Sequence, residues 1–537
     1  QPRSRGLGDV YKRQGVPRYN VACLFYADAE PRTAALRARV VHLAAPRFAP
    51  SRLDDETTRA ALAQHAARCN ADQRAAVERV LCAQDYALVL GMPGTGKSTT
   101  ISVLVRVLVA LGQSVLLCSY THSAVDTVLA KLADDDGGID VLRIGAVHRI
   151  HPRVRRFALP ERLRSANHAL DETPDAAAAY DALVRGADVV AATCLATTDA
   201  AFARRAFDVC IVDEASQITV PTCLGPLRFA DRFVMIGDHH QLAPLVRDAA
   251  SARSGLQTSL FQRLCAAHPS AVVALETQFR MNADIMALTN ALVYGGRLRC
   301  GSAQVASGCI KLHANGIGND SNDSHANIPL WLSRVLAPSC CVIFCDTDAL
   351  AARELRVDGL VENTAEAVLA ARIVDALYRA GVADVGVLTP YRQQVRELRR
   401  ACRPDIEVMT ADQAQGRDWS VVVVSFVRSN ADHMGGELLR DVRRLNVLLT
   451  RAKHKLVMLG SASTWSGAAP GEAPMQRLLG VLSARHALTA LPSDALDGCR
   501  SGAVGTHVSP TKQRHVKTAR VEKTRPVLAE VLNEADV

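Results

Sequence analysis

A chain of 537 residues is too long for one hydrophobic core, so two or three domains are expected. Its 49% hydrophobic and 22% charged residues are ordinary for a globular protein, and no apolar run approaches the ~20 residues of a membrane-spanning helix. Nothing in the chain resembles a secretory signal. Lys and Arg outnumber Asp and Glu 63 to 54, and the net charge of +9 suits a polyanionic partner better than an acidic one. There are 15 cysteines and no C-x-x-C pair, and Cys118, Cys210 and Cys345 sit inside apolar runs as small hydrophobes. The tightest group, Cys340, Cys341 and Cys345, reads as strand thiols rather than a metal site, which points to a reduced cytosolic or nuclear setting.

Residues 9–14, DVYKRQ, are what GAT-GTG-TAT-AAG-AGA-CAG encodes, the transposon end used in sequencing libraries. Residues 1–14 are therefore set aside as an adapter scar, and the native chain is expected to continue upstream, making this a C-terminal portion. Residues 15–68 read as the end of an upstream domain or a linker, with a strand at 38–43 and an Ala-rich helix at 54–68 opened by Asp54 and Asp55. From Asn70 onward helices alternate with apolar strands at 87–90, 115–118, 189–192, 209–212, 233–236, 272–275, 342–345, 385–388, 421–426 and 455–459. Near-continuous Val, Ile and Leu runs with helices between them predict an α/β fold of parallel sheets buried on both faces. Ten strands are too many for one sheet, so two lobes are expected, at 69–246 and 247–497. The charged segment 134–186 reads as an insertion in the first lobe and the Gly/Asn/Ser-rich segment 301–329 as a loop. Residues 498–537, with Lys512, Arg514, Lys517, Arg520, Lys523 and Arg525, read as a disordered basic tail.

The most specific signal follows the strand at 86–90. Gly91-Met-Pro-Gly94-Thr95-Gly96-Lys97-Ser98-Thr99 fits G-x-x-x-x-G-K-[ST] between a strand and a helix. Glycines let backbone N–H groups turn inward around phosphate oxygens, and the helix points its positive end at the same charge. Lys97 is expected on the β- and γ-phosphates of a nucleotide and Ser98 on Mg²⁺.

Asp213 and Glu214 close the strand at 209–212, where Asp213 would hold Mg²⁺ opposite Ser98 and Glu214 would orient and deprotonate the attacking water. Gly237-Asp238-His239-His240-Gln241 follows the next strand, and the Gln241 amide can bond a γ-phosphate or the water. The two histidines diverge as consecutive side chains and have no third ligand, so zinc is rejected. Arg280, in Gln278-Phe279-Arg280-Met281, and Arg443, Arg444 and Arg451, before Lys453, are candidates to cross a cleft onto the γ-phosphate.

The ordered set NADQRAAVERVL, DYALVLGMPGTGKSTT, SYTHSAVDTVLAKL, VLRIGAVHRIHP, VVAATCLAT, CIVDEASQI, VMIGDHHQLAPLV, LETQFRMNADIM, GVLTPYRQQV, TADQAQGRDWSVVVVSFVRSN and DVRRLNVLLTRAKHKLVMLG resembles superfamily 1 group B helicases over about residues 70–460. Within the nonsense-mediated-decay-helicase-like branch, it is most similar to the eukaryotic replication helicase/nuclease family that trims Okazaki-fragment flaps. That resemblance implies two RecA-like P-loop NTPase lobes with ATP and Mg²⁺ between them and DNA across them. By position, Gln73 would read the adenine edge, Asp418 would lie near the ribose, and Arg280 and Arg451 would be arginine fingers. Thr121, His122, Ser123, Thr193, Tyr391, Arg392 and Thr410 would touch nucleic acid, through hydroxyls and amides suited to sequence-blind phosphate contacts. With 4% aromatic residues, few bases can stack on rings, so backbone tracking should dominate.

The chain departs from the family at His240, usually Gln, at Ala243, usually Pro, at Ala414, usually aromatic, and at Trp419, usually Lys. The family's nuclease domain and four-cysteine 4Fe–4S cluster precede the helicase and are expected outside this chain. The expected function is an ATP-hydrolysing 5′→3′ helicase on single-stranded or flap DNA, serving replication, repair and end resection. It would act in the nucleus, with a mitochondrial share left open, beside a single-strand-binding replication protein and a flap endonuclease and away from membranes. The alternatives are an RNA or RNA/DNA helicase of the same branch and a non-catalytic scaffold for nuclease loading.

Overall fold

The computed structural model describes residues 15–25, 31–134, 138–169, 176–199, 201–202, 205–312, 328–350, 352–357, 359–467 and 473–497, so residues 1–14, read above as an adapter scar, most of 301–329, read as a loop, and 498–537, read as a basic tail, lie outside the described residues. Seven strands form the first sheet: β1 (Tyr86–Gly91), β2 (Val115–Ser119), β3 (Val141–Arg143), β4 (Val189–Thr193), β5 (Phe207–Asp213), β6 (Ala230–Gly237) and β7 (Val272–Leu275). They are parallel throughout, in the order β3-β4-β2-β5-β6-β1-β7. Two short strands, β8 (Thr277–Gln278) and β9 (Arg299–Cys300), pair beyond it. The second sheet draws on β10 (Val342–Asp346), β13 (Val385–Thr389), β14 (Glu407–Thr410), β15 (Trp419–Ser425), β16 (Ala452–Gly460) and β17 (Leu488–Ala490), while β11 (Leu355–Val357) and β12 (Leu360–Glu362) make a separate antiparallel hairpin. The second sheet is also parallel, in the order β14-β13-β15-β16-β10-β17.

Side chains alternate across each strand, and here both faces are apolar. Leu88, Leu90, Leu116, Cys210 and Met235 of the first sheet belong to the same buried cluster as Phe344, Val422, Val424 and Met458 of the second. Their neighbours one residue along, such as Val89, Leu117 and Ile211, pack into a second cluster. Val421, Val423 and Val457 pack into a third. One continuous apolar layer therefore joins the two sheets, with a further layer on each outer face.

Three expectations need correction. Residues 38–43 are not a strand, since the chain is helical over Pro31–Val40, where Ala, Leu and Arg favour helix and Leu36 and Val40, four apart, share the buried face. The segment 134–186 is not wholly an insertion, because it supplies β3, which pairs with β4. Residues 272–275, assigned to the second lobe, are β7 and pair with β1 in the first sheet, Val273 opposite Val89. The chain thus returns across the expected boundary to cover the β1 edge, which would otherwise expose unpaired backbone.

Helices α1 (Ala71–Cys82), α2 (Lys97–Ala110), α3 (His122–Ala133), α4 (Thr364–Arg379), α5 (Arg392–Ala401) and α6 (Val442–Leu449) carry most of the candidate site. No described helix is long and apolar enough to cross a membrane, and the described cysteines are free thiols.

Under α4 lies a buried polar network. Glu366 accepts from Ser425 Oγ at 2.6 Å and from the Val427 amide at 2.9 Å, and Gln394 Nε2 donates to Ser425 Oγ at 3.0 Å. Burial pushes the Glu366 carboxyl up to about 8, above its ordinary 4.5. The folded protein therefore holds a proton that the unfolded chain releases between those values, and the stability this confers is lost as pH rises through the window. The thermal midpoint should fall by several degrees more between pH 5 and 8.5 in the parental protein than in Glu366→Gln, measured by scanning calorimetry. Identical pH slopes would contradict the burial of this proton.

Candidate active site

In a parallel sheet every strand ends on the same edge, where open α/β sheets place ligands. In the first sheet that edge gathers Thr193, Ser119 and Asp213 in register, followed by Gly237, which pairs with Leu90, and then Gly91. The loop after β1 is braced from three directions. Asn70 and Gln73 cap each other at the start of α1, and Gln73 Nε2 then donates to the Thr95 carbonyl at 3.1 Å. Gln73 thus lies beside the loop at 91–99, with its amide engaged by the protein at both ends. Thr95 Oγ1 donates to the Met92 carbonyl at 2.7 Å, and the Phe279 amide donates to the Gly94 carbonyl at 2.9 Å.

Two glycines are required by close approach. Gly94 has φ +74°, and a Cβ there would stand 2.7 Å from Arg280 Cβ, so only glycine lets Arg280 come this near. At Gly91 a Cβ would lie 2.3 Å from Lys97 Cγ, because Lys97 folds back over the loop and its Nζ donates to the Gly91 carbonyl at 3.0 Å.

Asp213 is buried at the end of β5 and accepts from the Glu214 amide at 2.8 Å. Glu214 has φ +51° and ψ +37°, a left-handed conformation that costs a non-glycine residue about 1–3 kcal/mol and turns its carboxylate toward the cavity. Burial pushes the Asp213 carboxyl up, the Glu214 charge adds to this, and Lys97 opposes it. Glu214 and the Ser98 hydroxyl line the same cavity, and with the adjoining Asp213 carboxyl they would make an oxygen donor set that fits a divalent cation such as Mg²⁺.

The next strand end is organised by Asp238, which is fully buried. It accepts from Gln241 Nε2 at 2.9 Å, Tyr294 Oη at 2.7 Å and the His240 amide at 3.0 Å. Asn446 of α6, the helix between β15 and β16, donates to the His240 carbonyl at 2.9 Å and to Tyr294 Oη at 2.8 Å. At His240 the backbone carries this contact, so the replaced side chain is spared that task.

A cavity of about 370 Å³ is lined by Gly94, Thr95, Gly96, Lys97, Ser98 and Thr99, by Glu214 and Gln241, and by Arg280, Asp418 and Arg451. Arg280 pairs with Asp418 at 2.8 Å and donates to the Thr450 carbonyl at 3.1 Å. Lys453 pairs with the other Asp418 oxygen at 2.8 Å. Burial alone would raise the Asp418 carboxyl, but Arg280, Lys453 and Arg451 together hold it below its ordinary range. Arg451 is 2% exposed, with Nε on the Val447 carbonyl, Nη1 on the Arg417 carbonyl and Nη2 on Thr450 Oγ1, and burial lowers its guanidinium to about 9. Arg443 and Arg444 turn elsewhere, to Gln262 and Asp412. The cavity also takes in Lys131, Phe279, Gly416 and Lys453, to which the sequence reading gave no role. Phe279 and Lys453 stand within a residue or two of an assigned arginine, which was a usable signal. Lys131 offered none beyond its charge.

The remaining candidates lie along the same two strand-end edges but away from this cavity. Thr121 caps α3 on the Ala124 amide at 3.3 Å, and Thr193 ends β4. His122 Nδ1 lies 3.1 Å from Arg143 Nη2, whose guanidinium pairs with Asp126 at 2.9 Å. Burial and then Arg143 lower the imidazole pKa, which keeps His122 neutral. In the second sheet, Tyr391 and Arg392 open α5 just after β13, and Thr410 ends the adjoining β14, its amide held by Gln413. The Ala414 side chain is buried in the core shared by the two sheets, and Trp419 lies over Gly386 with Nε1 on Glu407 at 3.0 Å.

A family model described as an AAA domain matches residues 68–179 and 167–248, and a second with the same description matches 256–463. The DNA replication ATP-dependent helicase/nuclease DNA2 of Xenopus laevis is 46% identical over 74% of this chain and 37% of that one. The protein of that name in Homo sapiens is 44% identical over 79% and 39%. In Saccharomyces cerevisiae it is 37% identical over 86% and 30%. The chain thus spans about two fifths of the length of the first two. Among solved structures, an arterivirus nonstructural protein 10 helicase aligns at 14% identity with a TM-score of 0.37, over 71% of this chain and 62% of that one.

The Lys97 stem occupies the space a Gly91 side chain would need. Gly91→Ala should therefore displace the ammonium and weaken ADP binding at least tenfold in calorimetry, with the thermal midpoint nearly kept. Unchanged ADP affinity would show that the folded-back Lys97 is not the binding conformation.

Proposed function

This chain belongs to the family of DNA replication ATP-dependent helicase/nucleases, and from that premise we propose that it is the ATP-driven helicase portion of such a protein, moving along single-stranded DNA. The observation that carries this reading is the convergence of Lys97, Glu214, Gln241, Arg280 and Arg451 on one cavity, with the nucleic-acid candidates set apart at the strand ends of both sheets. ATP is the substrate, with Gln73 beside the adenine end, Asp418 near the ribose and Gly91, Gly94, Thr95, Gly96 and Thr99 around the phosphates. Ser98 and Asp213 would hold Mg²⁺, which when bound supplies charge neutralisation between the β- and γ-phosphates.

Within that frame Glu214 orients the attacking water and takes its proton, while Gln241, anchored on Asp238, bonds the γ-phosphate or the water. Arg280 and Arg451 stabilise charge on the transferring phosphoryl group, and the pairing of Arg280 with Asp418 must loosen for it to arrive. Hydrolysis would then open and close the cavity while Thr121, His122, Ser123, Thr193, Tyr391, Arg392 and Thr410 hold the sugar-phosphate backbone. The finer parts of the proposal follow the family: 5′→3′ travel, flap DNA and resected ends as substrates, a nuclear setting, and a single-strand-binding replication protein and a flap endonuclease as partners. An upstream nuclease with its 4Fe–4S cluster would belong to the longer protein.

Glu214→Gln should keep ADP·Mg²⁺ binding but lower DNA-stimulated ATPase by about 10²- to 10⁴-fold, since only the base is removed. Turnover near the parental rate would give the proton to another group. The polynucleotide is tested separately, by comparing ATPase stimulation with DNA and RNA oligomers of matched sequence. DNA should stimulate more strongly, whereas equal or greater stimulation by RNA would favour an RNA helicase, and no turnover with either would favour a scaffold.

A further inference from the structure

Helix α3 begins at Thr121, His122 and Ser123 and runs toward the cavity, where Lys131 in its last turn is part of the lining. Helical side chains lean toward the N-terminus of their own helix, so Lys131 extends back along the neighbouring α2. Its backbone is fixed there, with Arg106 Nη2 of α2 donating to the Leu132 carbonyl at 3.0 Å. The ammonium ends 3.1 Å from Thr99 Oγ1, in the first turn of α2 and one residue past Ser98.

The other cavity cations are all engaged by stronger acceptors. Lys97 lies on a backbone carbonyl, Arg451 is enclosed by carbonyls and a hydroxyl, and Arg280 and Lys453 share Asp418. Among the described residues Lys131 makes no ion pair, and a neutral hydroxyl is its hydrogen-bond partner. It is an exposed cation aimed at the N-terminus of a helix, where backbone N–H groups already favour an anion.

We propose that Lys131 is a nucleotide ligand that binds the α-phosphate. Thr99 lies one residue beyond Lys97 and Ser98, which are assigned to the β- and γ-phosphates and Mg²⁺, so the charge beside it serves the nucleoside side of the chain of phosphates. The inference rests on reading the cavity as a nucleotide site. One helix then carries nucleic-acid candidates at its start and a nucleotide contact at its end, about 14 Å apart along the axis, so a shift of α3 on nucleic acid would be felt directly by the nucleotide.

The test uses the full chain, with ADP and a non-hydrolysable ATP analogue titrated in Mg²⁺ into the parental protein, Lys131→Ala and Lys131→Arg. Lys131→Ala should weaken both nucleotides by the same factor, about tenfold for one charge-assisted hydrogen bond. Lys131→Arg should restore most of the loss, and affinity for an oligo-dT strand without nucleotide should be unchanged. Unaltered ADP affinity in Lys131→Ala would overturn the proposal. So would a loss confined to the ATP analogue, which would move the lysine to the γ end, or a loss confined to oligo-dT, which would move it to the nucleic-acid surface. Absence of ADP binding by the parental protein would instead defeat the reading of the cavity itself.

Discussion

The arrangement depends on one buried carboxylate. Asp238 lies in the core with no access to water, so each of its lone pairs must be met from within the protein. Gln241, Tyr294 and the His240 amide meet them, and Tyr294 and His240 are in turn held by Asn446 of α6. Arg451 follows α6 by two residues, so the group that fixes Gln241 at the cavity also holds, through Tyr294 and the His240 backbone, the middle of the helix that delivers Arg451. Breaking any member leaves a buried polar group unpaired, which costs about 1–3 kcal/mol and makes the unit respond as a whole.

Around this polar joint the apolar packing is continuous. The inner faces of both sheets meet in a single cluster that contains Met281 and Ile285 as well as Leu445 and Leu448. The cavity is thus framed by elements that share a core but are joined near the site through hydrogen bonds and ion pairs, which exchange partners at lower cost than packed side chains. Arg280 shows the choice directly, since its guanidinium spans Asp418 and the Thr450 carbonyl, both parts of the half that also presents Arg451. A phosphate competing for that guanidinium would have to displace a carboxylate of similar charge, so ligand binding and the pairing across the cavity draw on the same interactions.

Much of the candidate site was legible in the sequence because the motifs proposed for phosphate binding are local. Gly91 through Thr99 announce themselves by spacing, since a loop between strand and helix needs only its own residues to be recognised, and Asp213 with Glu214 stand out by closing an apolar strand downstream of that loop. What was not legible depended on long-range placement. The Val272–Leu275 strand has the composition of any buried strand, and nothing in it says that it lies against β1 rather than in the following sheet. Pro31–Val40 is short and only partly apolar, so its two buried positions carried little periodic signal. Lys131 stands 34 residues beyond Lys97 on a different helix, and only the packing of α3 against α2 brings it to Thr99. Tyr294 and Asn446 were likewise invisible, because a buried hydroxyl and a buried amide acquire meaning only from the carboxylate between them.

The central claim is that nucleotide and nucleic acid act on one mechanically continuous body, and it is tested most directly by reciprocal linkage. The affinity of oligo-dT is measured with and without ADP·BeF₃, and the affinity of ADP·BeF₃ with and without oligo-dT, by fluorescence titration of the full chain. The account predicts a coupling factor different from one and equal in both directions, as thermodynamic linkage requires of two sites biasing one conformational equilibrium. Affinities that do not depend on the other ligand would contradict it.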